Sequence, residues 1–140
     1  MSSFTRSQPG ERSRLRAIRA LFLRHGDEST PEGRSLRLLR AWLSPAQRAH
    51  FAEKGYFEVV GGDTDRQYRI HAGAGMNVCE VDKKGRPTLG LCFMPVGELP
   101  IGDIMLSQKI ALENWESGAL AVARRFIPNR FSFRRSRLLG

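Results

Sequence analysis

Apolar residues recur along this chain with two periods, and the switch between them divides it. After Glu11, Leu15, Ile18 and Phe22 fall three and four residues apart, the stripe of an amphipathic helix. His25-Gly26 reads as its end, since glycine readily takes the left-handed position past a last turn. Thr30-Pro31 opens a second helix with a hydroxyl cap and a proline at the first helical position. Leu36, Leu39 and Leu43 form its stripe. Ser44-Pro45-Ala46-Gln47 is a capping box that starts a third helix, which runs to about Lys54 and stops at Gly55.

The period then drops to about two. Tyr56–Val60, Gln67–His71, Met76–Val81 and Thr88–Met94 read as strands. Between them lie Gly61-Gly62-Asp63, the small residues Ala72 to Gly75, and the turn Asp82 to Pro87, where Gly85 supplies a positive φ. Short connections in succession favour an antiparallel meander. Beyond the loop from Val96 to Pro100, Met105, Leu112, Trp115, Ala119, Val122 and Phe126 form another helical stripe. It predicts one long helix from about Asp103, laid across the sheet and ended by Pro128. Trp42 and Trp115, on helix faces with leucines, are expected in the core.

The expected fold is therefore α+β: N-terminal helices, a four-stranded antiparallel meander, and a long C-terminal amphipathic helix on the sheet. Residues 1–10 read as a mobile arm, 11–127 as one domain, and 128–140 as a basic Arg/Phe arm. A length of 140 residues fits a single domain. Hydrophobic residues at 41% and charged residues at 26% are ordinary globular values. There is no apolar run long enough to span a membrane and no signal-peptide core with a small-residue cleavage site. These readings point to a cytoplasmic protein, or one within a phage particle, with no membrane partner.

Charge changes this picture by its placement. The net charge is +9. Residues 1–40 carry +5, residues 41–123 carry −2, and residues 124–140 carry +6 with no acid at all. The flanks use arginine and no lysine, and arginine is the side chain whose planar fork matches phosphate or carboxylate. Cys79 and Cys92 are too few for a disulfide scaffold and read as reduced thiols. Whether they are neighbours depends on strand register.

A motif block runs through the middle of the chain. It comprises Gly55-Tyr56-Phe57-Glu58-Val59, Gly62-Asp63, Arg66-Gln67-Tyr68-Arg69-Ile70, Met76-Asn77-Val78, Leu91-Cys92-Phe93-Met94-Pro95, Leu99-Pro100, Asp103 and Met105-Leu106-Ser107-Gln108-Lys109. Over about residues 55–117 it resembles a small uncharacterised domain of bacterial and phage-related proteins. The resemblance implies a bacterial or phage origin and a self-contained α+β domain, and it carries no activity.

Candidate chemistry concentrates in the flanks. In the tail, Arg124, Arg125, Arg130, Arg134, Arg135 and Arg137 can neutralise phosphates while Phe131 and Phe133 stack on exposed bases. The same residues could instead anchor the chain on a protein partner, or pack back onto their own domain. Arg12, Arg14, Arg16 and Arg19 could lie along a phosphate backbone or merely solvate a helix face. Three helices before a sheet invite a helix-turn-helix reading, which only the helix count supports. No metal-ligand spacing and no phosphate-binding or nucleophile motif is present. Asp63-Thr64-Asp65 reads as a hairpin loop before a cation site. His71 beside Arg69, with Glu58 or Glu80, is the one nuclease-like grouping, and its geometry is open.

The function expected from sequence is a non-enzymatic binding protein, without cofactor or metal, whose Arg-rich ends contact nucleic acid or fix it in a nucleoprotein assembly. The rivals are a structural subunit whose arms lace into neighbouring subunits, and a small nuclease-like enzyme.

Overall fold

The computed structural model describes residues 29–94, 97–129 and 132–133. The expected helix over 11–25 with Arg12, Arg14, Arg16 and Arg19, the N-terminal arm, and Arg130, Phe131, Arg134, Arg135 and Arg137 lie outside the described residues.

Helix α1 spans Pro31–Trp42, with Thr30 capping it by accepting from the Gly33 N–H at 3.0 Å. Helix α2 spans Pro45–Lys54 behind the expected capping box, and Gly55 closes it with φ 78°. Five antiparallel strands follow in the order β1 to β5: β1 Tyr56–Val60, β2 Gln67–His71, β3 Val78–Val81, β4 Pro87–Cys92 and β5 Arg124–Phe126. Between β4 and β5 come α3 (Ile101–Asn114) and α4 (Glu116–Val122). The fold is α+β, as expected.

Strand alternation divides the sheet into two faces. Phe57, Val59, Tyr68, Ile70, Val78 and Leu91 face the helices, where Leu39, Leu43, Phe51, Met105, Leu106 and Leu112 complete the core. The Phe51 ring meets Phe57 edge-on at 5.7 Å, which ties α2 to β1. Helix α1 crosses α3 where Ser35 abuts Gly102, so closely that a Cβ on Gly102 would lie 2.3 Å from the Ser35 Oγ. The Glu32 carboxylate accepts from the Ile101 N–H at 3.2 Å, which caps α3 from another helix.

The expected single C-terminal helix is broken, and the β1–β2 loop breaks it. The Gly62 N–H donates to the Leu112 carbonyl at 3.0 Å, an acceptor that a continuing helix would give to residue 116. Gly62 approaches so closely that a Cβ there would sit 2.1 Å from the Glu113 carbonyl oxygen. Trp115 leaves helical geometry at φ −150°, ψ 52°. Asp63 then accepts from the Ser117 N–H at 3.0 Å and so caps α4. One loop thus ends the first helix and starts the second.

Three further expectations are overturned. Arg124, Arg125 and Phe126 form a fifth strand on β4 instead of a helix end. Trp115 is 63% exposed and Trp42 58%, so neither tryptophan belongs to the core. Val122, placed in the helical stripe by its spacing, is 70% exposed.

Candidate nucleic-acid interface

The outer face of the sheet carries the side chains that β1 to β5 point away from the helices. One register row crosses all five strands: Glu58, Arg69, Cys79, Gly90 and Phe126. Arg69 is held in the middle of it. Its guanidinium pairs with Glu58 at 3.3 Å, donates to the Gly85 carbonyl at 3.1 Å, and lies 4.3 Å over the Tyr56 ring. Gly90 makes room for Phe126, because a Cβ there would lie 2.3 Å from the phenyl ring.

Beside that row runs a chain of rings. Tyr56 meets its cross-strand partner His71 edge-on at 5.2 Å. Phe133 stacks on His71 with centroids 4.4 Å apart and planes 14° apart. Phe126 lies 6.2 Å from Phe133. A turn brings the tail back for this contact: the Asn129 N–H donates to Ser132 Oγ at 2.8 Å, and the Ser132 N–H to the Asn129 carbonyl at 3.1 Å. The aromatic strip therefore runs from β1 to β5.

Of the arginines and phenylalanines expected to bind a partner, three are described. Arg124 and Arg125 are exposed on β5, at the sheet edge. Phe133 is half-buried on its own sheet. Arg34, Arg37 and Arg40, every third residue of α1, are also exposed and were not among the expected contacts. Their spacing was visible, but the leucine stripe between them drew the reading to the core. The folded part of the chain thus carries exposed arginines on α1 as well as on β5.

Of the nuclease-like grouping, Glu58, Arg69 and His71 share the outer face, whereas Glu80 points to the helix face. His71 is 4% exposed, beneath Phe133, with its Nε2 at 3.7 Å from Cys79 Sγ. Glu58 is engaged by Arg69. Glu80 pairs in register with Tyr68, on the helix face, and makes an ion pair with Arg66 at 3.7 Å. Cys79 lies opposite Gly90, so Cys92, opposite Arg124, is not its cross-strand neighbour, and neither belongs to a disulfide.

A second polar centre lies on the helix face. Glu116, 1% exposed, accepts from the Asp63 and Thr64 N–H groups at 2.9 Å each, and from the Thr64 and Tyr68 hydroxyls at 2.6 Å each. Burial pushes its carboxyl up, but the bonds from Thr64, Tyr68 and the two backbone groups outweigh this and hold it below the usual glutamate range. The Tyr68 phenol is raised, first by burial and then by its bond to Glu116. Asp63 serves here as a helix cap, and no cluster of metal-binding side chains occurs among the described residues. A small apolar recess of about 190 Å³ opens between the end of β4 and α3, lined by Phe93, Met94, Leu99, Ile104, Ser107, Gln108 and Ala111.

Compared with known proteins, the chain matches no protein family, no curated protein and no solved structure. No helix among the described residues is long and apolar enough to cross a membrane.

Proposed function

We propose that this protein binds nucleic acid without catalysing a reaction, and that its arginines fix it in a nucleoprotein assembly. The observation that carries this reading is the edge strand β5, whose exposed Arg124 shares the outer face with the rings of Tyr56, His71 and Phe126, while its exposed Arg125 points to the other side of the same edge. No ion pair to either arginine occurs among the described residues, so both forks can serve phosphate oxygens. A net charge of +9 supplies long-range attraction to a polyanion. Arginine beside aromatic rings is the combination that holds unpaired strands, charge tracking the backbone and rings taking the bases. The cytoplasm or a phage particle is the proposed setting, in keeping with the resemblance of the central motif block.

A salt titration tests this. Binding of short oligonucleotides to the full chain should weaken linearly in log–log form, with a slope of about −0.9 per phosphate contacted on duplex DNA and about −0.7 on single strands. Replacing Arg124 and Arg125 by alanine should flatten that slope by about one per lost contact. Absence of binding at low salt would remove the reading.

The second reading is a structural subunit, favoured by the apolar side chains left exposed at this end of the chain: Trp115, Val122 and, at 90%, Ile127. It requires concentration-dependent self-association with little salt dependence.

A further inference from the structure

The aromatic strip on the outer face supports more than phosphate contact. Tyr56, His71 and Phe126 belong to the sheet, whereas Phe133 is delivered from the tail by the 129–132 turn. Phe133 does not fill a core position. It lies flat on an imidazole, 4.4 Å away and tilted by 14°. This is the face-on geometry in which a nucleobase rests on a planar side chain. Around it stand the features that such a base would use. Tyr56 flanks His71, Phe126 lies 6.2 Å from Phe133, and Arg124 stands exposed two residues before Phe126.

Resting on the nucleic-acid reading above, we infer that the face of His71 covered by Phe133 is a stacking site for an unpaired base of a single strand, and that Phe133 is its intramolecular occupant. Arg69 is fixed by Glu58, the Gly85 carbonyl and the Tyr56 ring, so the platform keeps its shape when the tail lifts. The tether from β5 to Phe133 is short, so Phe133 competes at the high local concentration of a short linker. The apparent affinity for a strand is then the intrinsic affinity reduced by the fraction of molecules whose tail is lifted. A base paired inside a duplex cannot reach the imidazole, so the site selects unpaired strands.

Two substitutions move this competition in opposite directions. Phe133→Ala removes the occupant, and Phe133→Trp offers a larger ring. Binding of a fluorescent 12-nucleotide oligo-U strand and of a duplex of equal length is measured by anisotropy with the full chain. Phe133→Ala is expected to tighten single-strand binding by about three- to thirty-fold. The same variant should leave duplex binding within about twofold and the salt slope unchanged, because no phosphate contact is altered. Phe133→Trp is expected to weaken single-strand binding. In a Cys92→Ser background, Cys79 reports directly, since it is 0% exposed beneath this strip. Its labelling by a thiol reagent should rise in Phe133→Ala and fall again when the oligonucleotide is added.

If Phe133→Ala binds the single strand no better than the unaltered chain while both bind with salt dependence, the stacking site is refuted and the nucleic-acid reading stands. If no variant binds any oligonucleotide at low salt, both fall. If Phe133→Ala self-associates on sedimentation and its Cys79 is shielded by that association and not by the strand, the face is a protein interface and the inference is overturned. Should Phe133→Ala lose its fold by circular dichroism, Phe133→Leu keeps an apolar contact without a flat ring. It must then show the tightening, or the inference fails.

Discussion

On the helix face of the sheet, one carboxylate gathers four donors from a loop and a strand. On the outer face, one imidazole lies between a tyrosine edge and a phenylalanine plane, with a thiol nearby. Both centres are buried, and they teach different things. Every lone pair direction at Glu116 is answered by a donor with fixed geometry, and those donors come from residues 63, 64 and 68, far away in the chain. Such a centre locks topology, because removing it orphans several groups at once. His71 owes its cover to a ring that arrives on a tail and contributes contact area more than directional bonds. Such a cover can be exchanged for another flat ring, which is the property a binding site needs.

The comparison breaks most sharply at Glu116. Glu116→Ala should cost about 3 kcal/mol in chemical denaturation, since it leaves the buried Tyr68 hydroxyl without its acceptor and frees the loop that ends α3. A loss under about 1 kcal/mol would mean that the loop holds α3 and α4 by its backbone contacts alone.

The same centre gives a pH signature. The Glu116 carboxyl is held below its ordinary value in the folded protein. Its contribution is therefore fully present above the ordinary glutamate pKa of about 4.3 and is lost as pH falls through the lower folded value. Stability of the unaltered chain should fall between about pH 5 and pH 3 more steeply than that of Glu116→Gln. Equal slopes in the two proteins would show that other carboxylates govern acid unfolding.

The smallest effect is expected on the outer face. Phe133→Leu should change stability by less than about 1 kcal/mol, because the ring is half-buried and its loss uncovers a surface without orphaning a directional bond. A cost comparable with that of Glu116→Ala would make Phe133 a core residue and erase the contrast between the faces.

Local signals marked out much of this fold. The capping box at Ser44 and the glycine at 55 bound α2, and β1 and β2 have the limits that their alternation suggests. These features depend on neighbours within a few residues, so they are legible in a linear string. The stripe from Met105 to Phe126 was equally regular, yet it mispredicted the C-terminal region. Periodicity reports which positions could share a helical face. It is silent about Gly62, which takes the Leu112 carbonyl from fifty residues upstream. It is silent too about the unpaired edge of β4, which draws Arg124 to Phe126 into a strand. The candidate site was half legible for the same reason. Arg124, Arg125 and Phe133 stood out by composition, whereas the gathering of Arg124 and Phe133 with Tyr56, His71 and Arg69 on one face, and the turning of Arg125 to the other, required the register of the sheet.

By itself, then, the amino-acid sequence determined the class of the fold, the α1 and α2 caps, the order of the first four strands and the gathering of positive charge toward the ends. These follow from propensity, periodicity and side-chain chemistry acting over short stretches. Only the tertiary structure decided that the last helix breaks, that a fifth strand forms and that Phe133 lies on His71. Each of those outcomes is a competition for one acceptor, one sheet edge or one flat surface, and the winning partner lies far off in the chain.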